Sequence, residues 1–436
     1  MIRQAQKVRI YPTDEQKQQL AGAMGCCRWW WNYALNKSIE TYKETAHSLS
    51  RSGLNALLPN LKKEHDWLRS EVYSQSLQQT SLNLSRAFIN FFEKRAKFPR
   101  FKSKHRKQSV GFPQSVIIKD DFIKLPKIGL VKAIFDRRYS GRIKTVTITK
   151  DSSDKYFASI LYELEACFVS GNGDKIIGLD LGIKDLIIAH DGTKTSKFNN
   201  PRHFQKHEKN LARKQQKLAR KQKGSSTRTK AKKLVAKIHA RISNARQDYL
   251  HKLSRKLTNE SQIVVVESLN IKGMVRNHKI AKAITDCGWG TLVNFLDYKL
   301  EREDKRLIEI DRWFPSSHIC PDCLTQQPIG FANPTFRRNG KLWRASPSLC
   351  DVGGLQSALF TGSDLTIREW ICINKSCLIK HDRDEAASRN IRAEGIRILK
   401  AEGTPASASG GSVKPDRGRK TKVRQHPAKL ETHSKR

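Results

Sequence analysis

The sequence lacks any run of roughly 18 apolar residues, the length a membrane-spanning helix needs. Its start, MIRQAQKVRIYPTDEQ, is polar and basic and lacks the apolar stretch of a secretory signal. Acidic residues are scarce as well: 41 Asp and Glu stand against 83 Lys and Arg, a formal net charge of +42. Solubility requires far less. Such an excess calls for a polyanion, because each neutralised phosphate releases condensed counterions. The expectation is a soluble chain facing DNA or RNA, with no membrane partner. Disorder is not the answer either, since 38% of the residues are hydrophobic and 28% charged. A chain of 436 residues exceeds one ordinary core, and roughly two to four domains are expected.

Nine cysteines, an odd number, include two close pairs, Cys320/Cys323 and Cys372/Cys377. In a basic intracellular protein, close pairs suggest metal binding rather than disulfides. Cys26, Cys27, Cys167 and Cys287 lie in apolar settings and read as buried thiols.

Along the chain, RQAQKVRIY alternates and ends at Pro12, which predicts a strand. Thr13 with Gln16 forms a capping box, and helices are expected to about Ala96, with breaks near Ser50–Gly53 and Pro59. FPRFKSKHRK is a basic, aromatic crossing. From about 109 to 165, short runs such as SVIIK, KTVTITK and YFASILYEL predict a small β-barrel, which the first strand could join. KIIGLDLGIKDLIIAHDGTK reads as strand, tight turn, strand. Residues 202–258 predict a basic antiparallel helix pair interrupted at GSS, with an apolar stripe of Leu234, Ile238, Ile242, Ala245, Tyr249, Leu253 and Leu257. IVVVESL is a continuous apolar strand, as in a buried sheet. A helix at 289–304 and the strand RLIEIDRWF follow, and HDRDEAASRNIRAEGIRIL leads from a turn into a helix. Residues 403–436 are a basic Ser/Gly/Pro tail, expected to be disordered.

Two of these strands carry an acid where Val or Ile is usual: Asp180 in IIGLDLG and Glu267 at the end of IVVVE. Buried charge is costly unless paired, and two acids on adjacent strands repel each other. A divalent cation resolves both problems. Asp384, in HDRDEAA, is a third candidate, although a plain helix cap would also account for an acid there. Hard carboxylates without clustered histidines favour Mg²⁺ or Mn²⁺. A pair of such ions about 3.5–4 Å apart can activate water and stabilise the leaving oxygen of a phosphodiester.

GLDLGIKDL, VVVESLNIKGM and HDRDEAASRNI resemble, in order, the three motifs of the RuvC-type, RNase H-like domain of the TnpB family. That family comprises transposon-encoded RNA-guided nucleases related to type V CRISPR effectors. WGTLVNFLDYKLE, WFPSSHICPDC, KVRIYPT and CRWWWNYAL also match its pattern, so the resemblance covers nearly the whole chain. It implies Asp180, Glu267 and Asp384 as catalytic, Mg²⁺-binding acids. Asp384 is preferred over Asp382 by its register before Glu385–Ile391, where the family's usual first Asn is Ala386 and an Ala is Ser388.

The resemblance further implies a multidomain α+β protein. A wedge-like β-barrel (1–12 and 102–170) would hold an inserted helical recognition domain (13–101). A RuvC-like α/β nuclease domain (171–314 and 382–402) would hold a zinc-finger-like insertion (315–381). Structural Zn²⁺ would sit on Cys320, Cys323, Cys372 and Cys377. The second pair is spaced by four residues rather than two, the long loop between the pairs contains Cys350, and His318 and His381 flank the pairs. The competing reading is a site that has lost its metal. Candidate nucleic-acid contacts are Arg28 and Trp30, Arg100 and Lys102, Arg213, Lys217 and Arg220 on the helix pair, and Arg383 at the scissile phosphate. The implied partners are an omega-type guide RNA and double-stranded DNA with a short flanking motif, in a bacterial or archaeal cytoplasm. The implied activity is RNA-guided DNA cleavage. A strand-joining transposase and a catalytically silent RNA-guided DNA-binding protein are the alternatives.

Overall fold

A computed structural model of the chain describes residues 2–105, 107–165, 175–326, 335–338, 341–344, 368–403, 413–414 and 424–425. Cys167, Cys350, nearly all of the expected basic tail and most of the loop between the cysteine pairs lie outside them. The chain divides into two units, Met1–Cys167 with Arg213–Ala240, and Phe168–Ala212 with Arg241–Arg436.

The first unit opens with β1 (Ile2–Tyr11), and Pro12 removes the N–H that would continue its ladder. Thr13 then caps α1 (Asp14–Thr45): its hydroxyl accepts from the Gln16 N–H at 3.3 Å, and Gln16 returns the bond at 3.1 Å. The helices α2 (Arg51–Glu64), α3 (Asp66–Ser70) and α4 (Ser74–Phe92) follow. Pro59 lies inside α2 and does not end it, contrary to the expectation. Leu54, Leu58 and Leu61 are buried on both sides of it, and their burial outweighs one lost backbone bond.

The strands β2 (Gln108–Phe112), β3 (Ile117–Lys119), β4 (Phe122–Leu125), β5 (Gly129–Ile134), β6 (Arg142–Lys150) and β7 (Tyr156–Leu164) join β1 in one antiparallel sheet, ordered β2-β6-β7-β1-β5-β4-β3. The first strand therefore pairs with later ones, β5 and β7, and the helices are inserted between them. The sequence predicts a small barrel; the ladder order found runs from β2 at one edge to β3 at the other. Trp30, Leu35 and Leu84 of the helices share one core with Ile10, Phe112, Ile148 and Ile160 of the sheet.

The second unit is built on β8 (Lys175–Asp180), β9 (Asp185–His190) and β10 (Thr195–Asn199). Helices α5 (His203–Ala219) and α6 (Ser226–Glu260) follow in the chain, their stretch Arg213–Ala240 counting with the first unit; Gly224, at φ +89°, makes the turn between them. Then come β11 (Ser261–Glu267), α7 (Ile271–Met274), α8 (Ala281–Cys287), α9 (Trp289–Arg302) and β12 (Arg306–Ile310). A 3₁₀ turn at Ser316–His318, the hairpin β13 (Thr335–Arg338) and β14 (Lys341–Arg344), the short pair β15 (Glu369–Ile371) and β16 (Lys380–Asp382), α10 (Arg383–Ala401) and a two-residue strand pair, β17 (Val413–Lys414) and β18 (Arg424–Gln425), come after. The five-stranded sheet runs β10-β9-β8-β11-β12, with β8 and β11 parallel, β11 and β12 parallel, and the rest antiparallel.

Alternation along the strands sorts two cores. Ile177, Leu179, Val264 and Val266 pack with Leu250, Leu253 and Leu257 of α6 and with α9. Ile176, Val265, Ile308 and Ile310 face Ile391 and Leu399 of α10. Leu234, at the other end of the expected α6 stripe, is exposed. The approach of α10 is close: a Cβ on Gly178 would lie 2.3 Å from the Ser388 carbonyl oxygen, and one on Gly395 would lie 2.4 Å from Val265. Since no rotamer relieves a backbone clash, Gly178→Ala is expected to cost about 1–3 kcal/mol of stability. Urea unfolding measures this; an unchanged midpoint would mean that α10 does not lie so near β8.

Candidate active site

Asp180 and Glu267 are the last residues of two neighbouring parallel strands. Their preceding residues, Leu179 and Val266, are paired partners, so the acids stand side by side. Each falls two residues beyond a position that faces α10, Gly178 and Val265, so both carboxylates project to the face that this helix covers. Asp384 lies in the first turn of α10. Burial pushes the Asp180 carboxyl up to about 7; the negative charges of Glu267 and Asp384 push the same way, and Arg383 opposes them. Asp180 is thus within electrostatic reach of both other acids. Burial also raises Glu267, against a hydrogen bond donated by the Ser316 hydroxyl. Asp384 is met by the guanidinium of Arg368 and, at 3.3 Å, by that of Arg383.

Asp382 has a different place. It caps α10, accepting from the backbone N–H of Asp384 at 3.0 Å and of Glu385 at 3.1 Å. Lys197 binds it at 3.0 Å and Glu385 at 2.9 Å.

Sequence reasoning did not single out Ser316, Asn390 or Arg368. Buried Asn390 donates to the carbonyls of Ser316 and Ile319, both at 2.7 Å, and so fastens α10 to the turn whose serine holds Glu267. The sequence signals at hand were the Ser pair within WFPSSHIC and the place of Asn390 in HDRDEAASRNI. The departures after Asp384 are accommodated: Ala386 packs beside Cys320, Cys372 and Trp370, and the Ser388 hydroxyl donates to the Glu385 carbonyl at 2.7 Å.

Cys320, Cys323, Cys372 and Cys377 converge, all four sulfurs lying within 4.8 Å of one another. Cys320 and Cys377 are 3.8 Å apart, and Cys323 and Cys372 are 3.5 Å apart. A tetrahedron with Zn–S bonds of about 2.3 Å has sulfur–sulfur edges of about 3.8 Å, so the thiols fit the ion. The wider second pair is closed by Asn374, whose carbonyl accepts from the N–H groups of Cys377 at 2.9 Å and Leu378 at 3.0 Å. Each pair is followed by a leucine with positive φ, Leu324 at +61° and Leu378 at +45°, so both pairs end on tight, strained turns. Nε2 of His381 lies 3.3 Å from the Cys320 sulfur, a further donor at the edge of the cluster. By contrast, burial pushes Cys26 up to about 12 and Cys27 and Cys287 to about 11, as suits inert core thiols.

The nucleic-acid candidates divide. Trp30 is corrected: it is fully buried and its indole N–H donates to the Ser81 hydroxyl at 3.0 Å, because the rotation of α1 turns that ring into the core. Arg28 is held by Gln108 at 2.6 Å. The Lys102 ammonium sits 3.6 Å over the Trp31 ring. Arg100, Arg213, Lys217 and Arg220 are exposed, and Arg383 lies at the acids.

From the four-sulfur geometry, the purified protein is expected to contain about one zinc per chain, lost in Cys320→Ser together with thermal stability. Elemental analysis decides; a zinc-free protein of unchanged stability would contradict it.

Three family descriptions match the chain: "Probable transposase" over residues 159–278, "Helix-turn-helix domain" over 1–47, and "Cas12f1-like, TNB domain" over 289–391. In the structure, residues 2–45 are one strand and one long helix. A "Putative RNA-guided DNA endonuclease" of Streptomyces pristinaespiralis is 34% identical over 425 residues, covering 95% of this chain and 93% of its own. The "Putative RNA-guided DNA endonuclease InsQ" of Escherichia coli (strain K12) is 31% identical over 378 residues, covering 82% and 92%. A solved Cas12f1–sgRNA–target DNA complex aligns over 90% of this chain and 98% of its own, at 10% identity and a TM-score of 0.49. With relatives this similar along almost its entire length, the chain belongs to the TnpB family.

Proposed function

We propose that the chain is an RNA-guided DNA endonuclease of a mobile element that hydrolyses phosphodiester bonds at Asp180, Glu267 and Asp384. The observation that carries this is the gathering of three acids at the carboxyl ends of β8 and β11 and the first turn of α10, with Asp180 raised to about 7 by burial and by the other two charges. So much clustered negative charge is a cost that function must explain. The near-full-length relatives bear endonuclease names. The strand order, three antiparallel strands followed by two parallel ones, supports the RNase H-like, RuvC-type reading.

Bound Mg²⁺ or Mn²⁺, as one ion or a pair, would supply an activated water and neutralise charge at the leaving oxygen. The chain's residues do the rest. The two strand ends fix Asp180 and Glu267 on rigid backbone. The Ser316 hydroxyl orients Glu267, and Asn390 holds the Ser316 turn to the helix that carries Asp384. Arg383 stands beside the acids, where it can meet the phosphate being cut. The four cysteines would hold Zn²⁺ in a structural rather than a catalytic role. Guide RNA of the omega type and double-stranded target DNA with a flanking motif are the partners, and the cytoplasm is the setting. The +42 charge supplies phosphate affinity without sequence preference, and base pairing supplies specificity.

The family description "Probable transposase" makes strand joining the reading to test against. Asp180→Ala is expected to lower Mg²⁺-dependent cleavage by about 10³-fold or more, the scale of a lost preorganised charge, and to leave RNA binding intact. Cleavage and filter-binding assays on one preparation measure both. Undiminished metal-dependent cutting by the variant would sink the assignment, and strand transfer without RNA would favour the transposase.

A further inference from the structure

The turn after β12 presents Trp313 to solvent at 82% exposure, more than any other large hydrophobic side chain among the described residues. An isolated surface aromatic needs no explanation by itself. This one differs in where and how it is held. Ile310, three residues before it, is the register partner of Glu267, and the Ile310 carbonyl accepts from the Ser268 N–H at 3.2 Å. Ser316, three residues after it, donates its hydroxyl to Glu267. At about 3.6 Å per extended residue, the Trp313 Cα lies within about 11 Å of both anchors. The turn is also fixed internally. Asp311 accepts from the Trp313 N–H at 2.8 Å with its side chain and from the Phe314 N–H at 3.2 Å with its carbonyl. Half-buried Phe314 packs against the α10 core, so the chain on one side of Trp313 is anchored while the indole is not. The Arg312 guanidinium lies 5.5 Å from the ring.

A rigid turn that presents a bare indole and an arginine next to a phosphodiester-cutting centre has the parts of a single-strand platform: a π-face for any base and a cation for the backbone. We propose that Trp313 stacks a nucleobase of the single-stranded DNA that enters the acid site, while Arg312 meets a neighbouring phosphate. The inference rests on the nuclease reading above and adds a substrate-positioning surface to it. Stacking is blind to base identity, as a nuclease directed by a guide requires, since sequence is already read by pairing.

The test uses the full chain with the RNA it carries and single-stranded oligothymidine bearing one 5-iododeoxyuridine. Irradiation is expected to cross-link the DNA to the peptide containing Trp313. Trp313→Ala should lose the cross-link and bind the oligonucleotide about tenfold more weakly, the usual worth of one base–aromatic stack. Trp313→Phe should restore most of the binding. Thermal unfolding should be the same in all three, because the indole is largely free of packing. A Trp313→Ala protein that binds like the wild type, or a cross-link that maps elsewhere, overturns the inference. The two claims fail separately. Cutting retained by Asp180→Ala removes the nuclease reading and leaves the cross-link in place, whereas a cleaving protein without the cross-link removes only the stacking surface.

Discussion

Two carboxylates at the ends of adjacent parallel strands repel each other, and a third brought in by a covering helix makes the repulsion worse. Folding must hold Asp180, Glu267 and Asp384 together against that force and against the loss of water around Asp180. Most of the second unit can be understood as the means of doing so. The parallel ladder between β8 and β11 fixes two of the acids on backbone that cannot yield without breaking a buried sheet. Guanidinium groups of Arg368 and Arg383 compensate the third.

The helix that brings the third acid must come close. Glycine at 178 and 395 removes the Cβ atoms that would keep α10 away from β8 and β11, and Ala386 keeps its first turns slim against the cysteine cluster. Asn390 then locks the helix to the 3₁₀ turn at Ser316–His318, and the next residues, Ile319 and Cys320, lead into the first cysteine pair. From the other side, β16 leads directly from His381, beside the Cys320 sulfur, to the cap Asp382 and on to Asp384. A structural ion at the four sulfurs and a catalytic ion at the three acids would therefore share one short stretch of scaffold, and zinc would have a positional effect without touching substrate.

Much of this could be read from the sequence, for local reasons. An acid interrupting IIGLDLG or closing IVVVE contradicts the apolar pattern around it, and contradictions of that kind mark function. The capping box at Thr13, the helix-pair turn at Gly224 and the joining of the first strand to the later sheet follow from spacing and turn chemistry. What could not be read depended on distant partners. Pro59 stays within α2 because leucines on either side are buried, which no propensity reveals. Which of three adjacent tryptophans faces the core depends on how α1 is rotated against α4, and Trp30, not a solvent-facing ring, is the one that donates to Ser81. The hydrogen bond from Ser316 to Glu267 spans 49 residues of chain. Asp382 and Asp384 stand two residues apart; register within the motif favoured Asp384, and the cap geometry and the Lys197 ion pair at Asp382 add a distinction that the sequence did not carry.

Metal binding at the acids tests this account most directly. Titrating the full chain with Mn²⁺ and following free ion by electron paramagnetic resonance requires neither guide nor target. The account predicts a bound population that Asp180→Asn and Glu267→Gln remove and that Asp382→Asn, which retains a capping side chain, leaves in place. Binding that survives loss of Asp180 and Glu267, or that disappears with Asp382, would contradict it.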